Sequence, residues 1–203
     1  MHKRQIFRLL GHAHQGVNPY KPNQKEGNMR RYALIFGSIA GVVLVIMMFL
    51  TMPFLGEDID YDTAEWLGYI SMIVALSAIF IGIKSYRDKE SAGIISFGKA
   101  FKVGLFITLV ASAFYVAGWM LYVNTSGTNF MDDYYEHSVE KIRSSGDSET
   151  AIQAKIADME KWRELYKNPL IQIGVTFIEI FPVGLIITII SATILKKKQE
   201  KTV

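Results

Sequence analysis

The residue of this sequence most in need of a chemical explanation is Glu179. It stands in Phe177-Ile-Glu-Ile-Phe-Pro-Val-Gly184, inside a run from Leu170 to Leu195 that carries no other charge. An ionised carboxylate at the centre of such a run costs about 3 kcal/mol in a membrane unless it is paired or hydrated. Pro182 follows three residues later; it has no N–H to donate and so frees the carbonyl of Ile178. A carboxyl and a loosened backbone therefore share one helical turn. Counted at about 1.5 Å per residue, Glu179 lies about 14 Å into its run. The same depth on the preceding apolar run falls near Phe114, which puts Ser112, Tyr115 and Trp119 within reach. Two chemistries fit: a proton-coupled, cation-coupled or ligand-binding carboxyl, or a neutral Glu hydrogen-bonded to Tyr115 or a serine that locks helix packing. In either case Glu179 is expected to face the interior of a helix bundle.

The remaining reactive side chains form no such constellation. Glu57, Asp58, Asp60, Asp62 and Glu65 superficially resemble a calcium loop, but Thr63 stands where glycine is needed and Tyr69 where the closing glutamate is needed. His12 and His14 lie in a polar tail, and His137 has no partner motif. The absence of cysteine excludes thiolate catalysis, disulfides and cysteine-ligated metal. No phosphate-binding loop, zinc-protease signature or nucleophile–base pair is legible. No metal or cofactor is expected, and no motif supports an enzyme.

The elements that must position Glu179 are long apolar runs. Four are present, at about 32–55, 66–83, 97–123 and 170–195, each near the roughly 20 residues a membrane helix needs. The fold class is therefore all-α: a polytopic membrane protein with four transmembrane helices, the membrane domain extending over 32–198. The first run starts too late and runs too long for a cleavable leader. In it, Gly37 and Gly41 make a small-xxx-small packing face, and Pro53 marks its exit. Trp66 and Tyr69 open the second run as interfacial anchors. The loop Lys84–Lys102 follows, with Gly93 as a turn and Ser96 as the cap of the third run. Its Lys84, Tyr86, Arg87, Lys89, Lys99 and Lys102 are expected at the headgroups, with Lys99 and Lys102 snorkelling.

Residues 124–169 form the main extramembrane segment. Two amphipathic helices are expected, about Asn129–Arg143 and Ser148–Lys167, making a helical hairpin between spans three and four. Asn168-Pro169 stops the second before the membrane, and Lys196 to Lys198 halt the last span. Prolines and glycines argue against a long helix in the basic tail 1–31, and 199–203 form a short second tail. Sixteen of the 22 Lys and Arg fall on the side holding the tails and the 84–102 loop. The positive-inside rule then places both termini in the cytoplasm and 124–169 outside. The same distribution explains the pI near 8.9 without nucleic acid.

Two stretches, Ile81-Gly-Ile-Lys-Ser-Tyr-Arg-Asp-Lys-Glu with Gly93-Ile-Ile-Ser-Phe-Gly-Lys-Ala-Phe-Lys-Val-Gly104, and Glu179-Ile-Phe-Pro-Val-Gly184, resemble the membrane family catalogued as domain of unknown function 4199. The resemblance covers about 29–198. It implies a four-span bacterial inner-membrane protein with an extracytoplasmic helical segment before the last span, and it implies no activity or functional residue. It also implies that translation could start at Met29, leaving 1–28 as an upstream extension. The leading functional expectation is a binding or scaffold component of the cell envelope, meeting membrane lipids and a protein partner or further copies of itself. The alternatives are a small transporter or channel component using Glu179, and a lipid-acting enzyme using Tyr86, Arg87, Asp88 and Lys89 at the interface.

Overall fold

A computed structural model describes residues 22–54, 60–127 and 129–197, with side chains from Asn28 onward. The tail histidines His12 and His14, Met1, Glu57, Asp58 and Lys198 with the closing tail lie outside the described side chains.

Among the described residues the chain is helical, with one isolated bridge between Ile95 and Lys197. Helix α1 spans Pro22–Thr51, and a 3-10 turn, Met52–Phe54, carries Pro53. This corrects the expectation for the tail, since Pro22 to Arg31 are helical. Proline is tolerated in a first helical turn, and the roughly 1 kcal/mol cost of Gly27 is small beside the span that continues the helix.

The second apolar run is two helices, α2 (Tyr61–Leu76) and α3 (Ala78–Glu90), broken at Ser77. The Ser77 hydroxyl donates to the Val74 carbonyl at 2.6 Å, a back-bond of the kind that bends helices. Asp60 caps α2, its carboxylate accepting from the Thr63 N–H at 2.9 Å and the Thr63 hydroxyl at 2.7 Å. Lys84 to Glu90, expected as loop, extend α3; Arg87 and Lys89 suit the negative end of its dipole. Ala92 and Gly93, with φ of 51° and 78°, then reverse the chain.

Helix α4 spans Phe97–Thr125, with Ser96 accepting from the Lys99 N–H at 3.4 Å. Helices α5 (Phe130–Arg143) and α6 (Glu149–Tyr166) follow, and α7 runs Pro169–Leu195. Asn168 caps α7 through its carboxamide oxygen, and Pro169 occupies the first turn.

The core is built on α4, which packs against both α1 and α7. Close approach depends on glycine: a methyl at Gly37 would meet Val110, and one at Gly184 would meet Thr108. Beneath these contacts the Thr108 and Thr188 hydroxyls lie 3.0 Å apart, and Thr108 donates to the Gly184 carbonyl at 3.3 Å, all fully buried. Four segments, Asn28–Phe54, Tyr61–Glu90, Phe97–Thr125 and Pro169–Leu195, are long and apolar enough to cross a membrane. Their outward faces expose Leu34, Ile39, Ile46, Ile73, Ile178 and Ile194, a surface suited to acyl chains.

Candidate functional site

Helix α7 turns Thr176, Ile180, Gly184, Thr188, Ser191 and Leu195 inward, a stripe at nearly four-residue spacing. Glu179 is one residue off that stripe. It is therefore exposed on the flank of α7, not enclosed as expected. The Tyr115 hydroxyl donates to Glu179 Oε1 at 3.5 Å, the long limit for such a bond. Among the described residues Glu179 makes no salt bridge. Pro182 is exposed within α7, one turn along from the outward-facing Ile178.

Helix α2 is buried only at Met72, Ala75 and Leu76; from Tyr61 to Ile70 no residue is fully buried, and Trp66 is 71% exposed. It packs on α1 and α7 and less closely on α4. Glu65 and Tyr69 lie one turn apart on this exposed part of α2. Tyr166 is held by the Trp119 indole N–H, which donates to its hydroxyl at 2.7 Å.

The α4 face toward α7 fixes Ser112. Thr108 meets Gly184 and Tyr115 meets Glu179, and Ser112 falls on the turn between them. Its hydroxyl is wholly buried and has no hydrogen-bond partner among the described residues.

Helices α5 and α6 lie over this end. Arg163 of α6 grips Asp132 of α5 at 2.7 Å. Phe130 packs edge-on against Trp119, centroids 4.9 Å apart. Tyr61 at the start of α2 stacks on His137 at 4.6 Å and meets Tyr134 edge-on at 5.9 Å. Lys141 binds Asp62 at 2.7 Å, and that bond holds the ammonium pKa above its usual value. The acidic stretch at the start of α2 thus supplies a helix cap and a tether.

The expected headgroup residues divide. Lys84, Lys89 and Lys102 are exposed. Tyr86 is fully buried, its ring edge-on to Tyr32 at 5.5 Å. The Lys99 ammonium does not snorkel outward; it lies 5.2 Å over the Tyr86 ring and donates to Ser91 at 3.1 Å. Arg87 reaches the Leu195 carbonyl at 3.5 Å and pairs with Asp88 at 2.7 Å. Asn28 donates to Glu90 at 2.6 Å. The reason is that α3 continues past the apolar run and carries these side chains back onto α1, α4 and α7. Lipid chemistry by Tyr86 is incompatible with that burial.

No group of three or more metal-ligating side chains gathers among the described residues. The family model described as "Protein of unknown function (DUF4199)" matches residues 35–197. No curated protein and no solved structure matches the chain. With most of its length covered by that match, the chain belongs to the DUF4199 family.

Proposed function

We propose that this chain is a multi-pass inner-membrane protein that binds a small ligand beside Glu179, in a groove between α2 and α4, with both termini in the cytoplasm. The observation that carries the reading is the state of the Glu179 carboxyl: in the middle of an apolar span it is exposed, and among the described residues its one hydrogen-bond partner is Tyr115, at 3.5 Å. A packing lock has a different form, and this fold contains one. The Thr108–Thr188–Gly184 contact is fully buried, with both hydroxyls engaged. Glu179, two turns away, is exposed and makes one long hydrogen bond among the described residues. The charge asymmetry of the loops supports the orientation. With it, α5 and α6 form an extracytoplasmic hairpin above the groove, and the spans form a small four-helix bundle around α4.

The natural chain has no cysteine, so Glu179→Cys creates a single reporter thiol. In spheroplasts, a membrane-impermeant maleimide is expected to label it. Labelling equal to that of a lipid-facing control, Ile194→Cys, would reject a water-accessible groove. A scaffold role is a second reading, supported by the exposed Trp162 and Leu165 on α6, which offer a docking face for an envelope protein or another copy. Capture of a stoichiometric partner that is lost on Trp162→Ala would favour it.

A further inference from the structure

We propose that the C-terminal end of α6 is an interfacial anchor, with Trp162 and Leu165 seated in the headgroup–acyl boundary of the phospholipid bilayer beside the start of α7. The inference does not depend on Glu179 or on any ligand there.

The course of α5 comes first. Its first residue, Phe130, packs against Trp119 of α4, centroids 4.9 Å apart. Farther along, His137 stacks on Tyr61 and Lys141 binds Asp62, both at the start of α2. From Phe130 to Lys141 the helix rises about 16 Å. Helix α5 therefore crosses the end of the bundle from one span to another, instead of standing away from it. Helix α6 returns along it, since Arg163 near its end grips Asp132 near the start of α5 and lies 4.9 Å over the Tyr135 ring.

Two contacts fix the rotation of α6. Arg163 meets α5, and Tyr166 meets α4, where the Trp119 indole N–H donates to its hydroxyl at 2.7 Å. Counted from Arg163 at about 100° per residue, Tyr166 lies about 60° round the helix, Trp162 about 100° and Leu165 about 160°, all in the same sense. Glu160 and Glu164 lie in the opposite sense. Trp162 is thus next to the side that meets the bundle, and Leu165 is farther round, away from α5. They are 52% and 53% exposed, so the bundle leaves that side open.

Position, size and charge argue for lipid as the occupant. Leu165 stands four residues before Pro169, where α7 begins, and the first turns of α7 expose Leu170 (75%) and Ile173. The apolar pair therefore continues the outward face of a span. The patch is small: one turn farther from the span, the same side of α6 carries Asp158 and Lys155. Two side chains fall far short of the roughly 800 Å² that each partner of a stable protein interface buries. The neighbouring charges are paired within α6, Lys161 with Asp158 and Lys167 with Glu164, which leaves little field to attract a charged partner. An indole beside a span suits the boundary where its ring is dry and its N–H is wet.

The test uses the full-length protein in phosphatidylcholine vesicles and its tryptophan fluorescence. One quencher is phosphatidylcholine brominated high on its acyl chains; the other is iodide on both sides of the membrane. Trp162→Phe isolates the contribution of Trp162 by difference from the natural chain and leaves Trp119 in place. The expected result is that Trp162→Phe loses a large part of the quenching by brominated lipid and none of the quenching by iodide. Loss of the iodide-quenched part alone would place Trp162 in water and overturn the proposal. No change with either quencher would mean that another protein chain covers the indole, which also overturns it. A second variant leaves Trp162 untouched. The natural chain has no cysteine, so Leu165→Cys carries a single nitroxide label. Its relaxation is expected to respond more to oxygen than to a water-soluble nickel chelate, as at Ile173→Cys, and the reverse order overturns the anchor.

Discussion

At the scale of single residues, two polar contacts on the α4–α7 seam behave differently. Thr108 and Thr188 are buried and mutually bonded, so each substitution removes an interhelical bond with no water to replace it. Thr108→Val is expected to lower stability by about 1 kcal/mol, read as a lower midpoint in a denaturant titration in detergent. Glu179→Gln is expected to change that midpoint by less, because the amide keeps a long contact already at the 3.5 Å limit. The reverse order would identify Glu179 as a structural residue. Tyr115 opposite Glu179 was legible in the sequence, because depth along antiparallel helices can be counted from their ends. The outward tilt of Glu179 was not legible, because one residue's offset from the buried stripe depends on which face of α7 meets α4.

The tether between Lys141 and Asp62 belongs to this scale too. The bond raises the lysine pKa in the folded state. Its contribution is therefore fully present below the ordinary lysine value and is lost as pH rises through the raised one. Amide exchange in α5 is expected to accelerate above that range, after correction for intrinsic base catalysis. Lys141→Gln should abolish the additional pH dependence; its persistence would mean that the tether does not hold α5.

Elements show why part of the fold was unreadable. Hydropathy runs unbroken across Ser77, so the second span read as one helix ending near Ile83. The structure breaks it at Ser77 and continues it to Glu90, because a hydroxyl–carbonyl bond and the tertiary contacts of Tyr86 decide the geometry. The apolar lengths of the spans, the Ser96 cap and the Asn168-Pro169 start of α7 depend on local chemistry, and these were legible. The break bears on the proposed groove, since a joint at Ser77 frees the direction of α2 from that of α3. Restoring continuity with Ser77→Ala is expected to stiffen that joint and narrow the groove. The measurement is the rate of maleimide labelling at Glu179→Cys, expected to fall several-fold; an unchanged rate would show that Ser77 does not set the opening. At the opposite end of α7, Asn168→Ala removes the N-cap and is expected to cost about 1 kcal/mol.

For the whole molecule, the distribution of charge and the placement of α5 and α6 make one joint claim. Sixteen of 22 basic residues lie on the side of the α3–α4 turn and the two tails. Helices α5 and α6 lie at the other end, tied to α2 by the Tyr61–His137 stack and the Lys141–Asp62 bond. If the positive-inside bias governs insertion, the groove opens away from the cytoplasm and any ligand arrives from outside. Single thiols at two exposed turn positions separate the orientations. Ser145→Cys, between α5 and α6, is expected to react with an impermeant maleimide in intact spheroplasts. Ala92→Cys, between α3 and α4, is expected to react only after lysis. The opposite pattern would turn the molecule over, with the groove facing the cytoplasm and an intracellular ligand. Labelling of both before lysis would show a mixed population, meaning that the excess of ten basic residues on one side does not suffice to orient the chain.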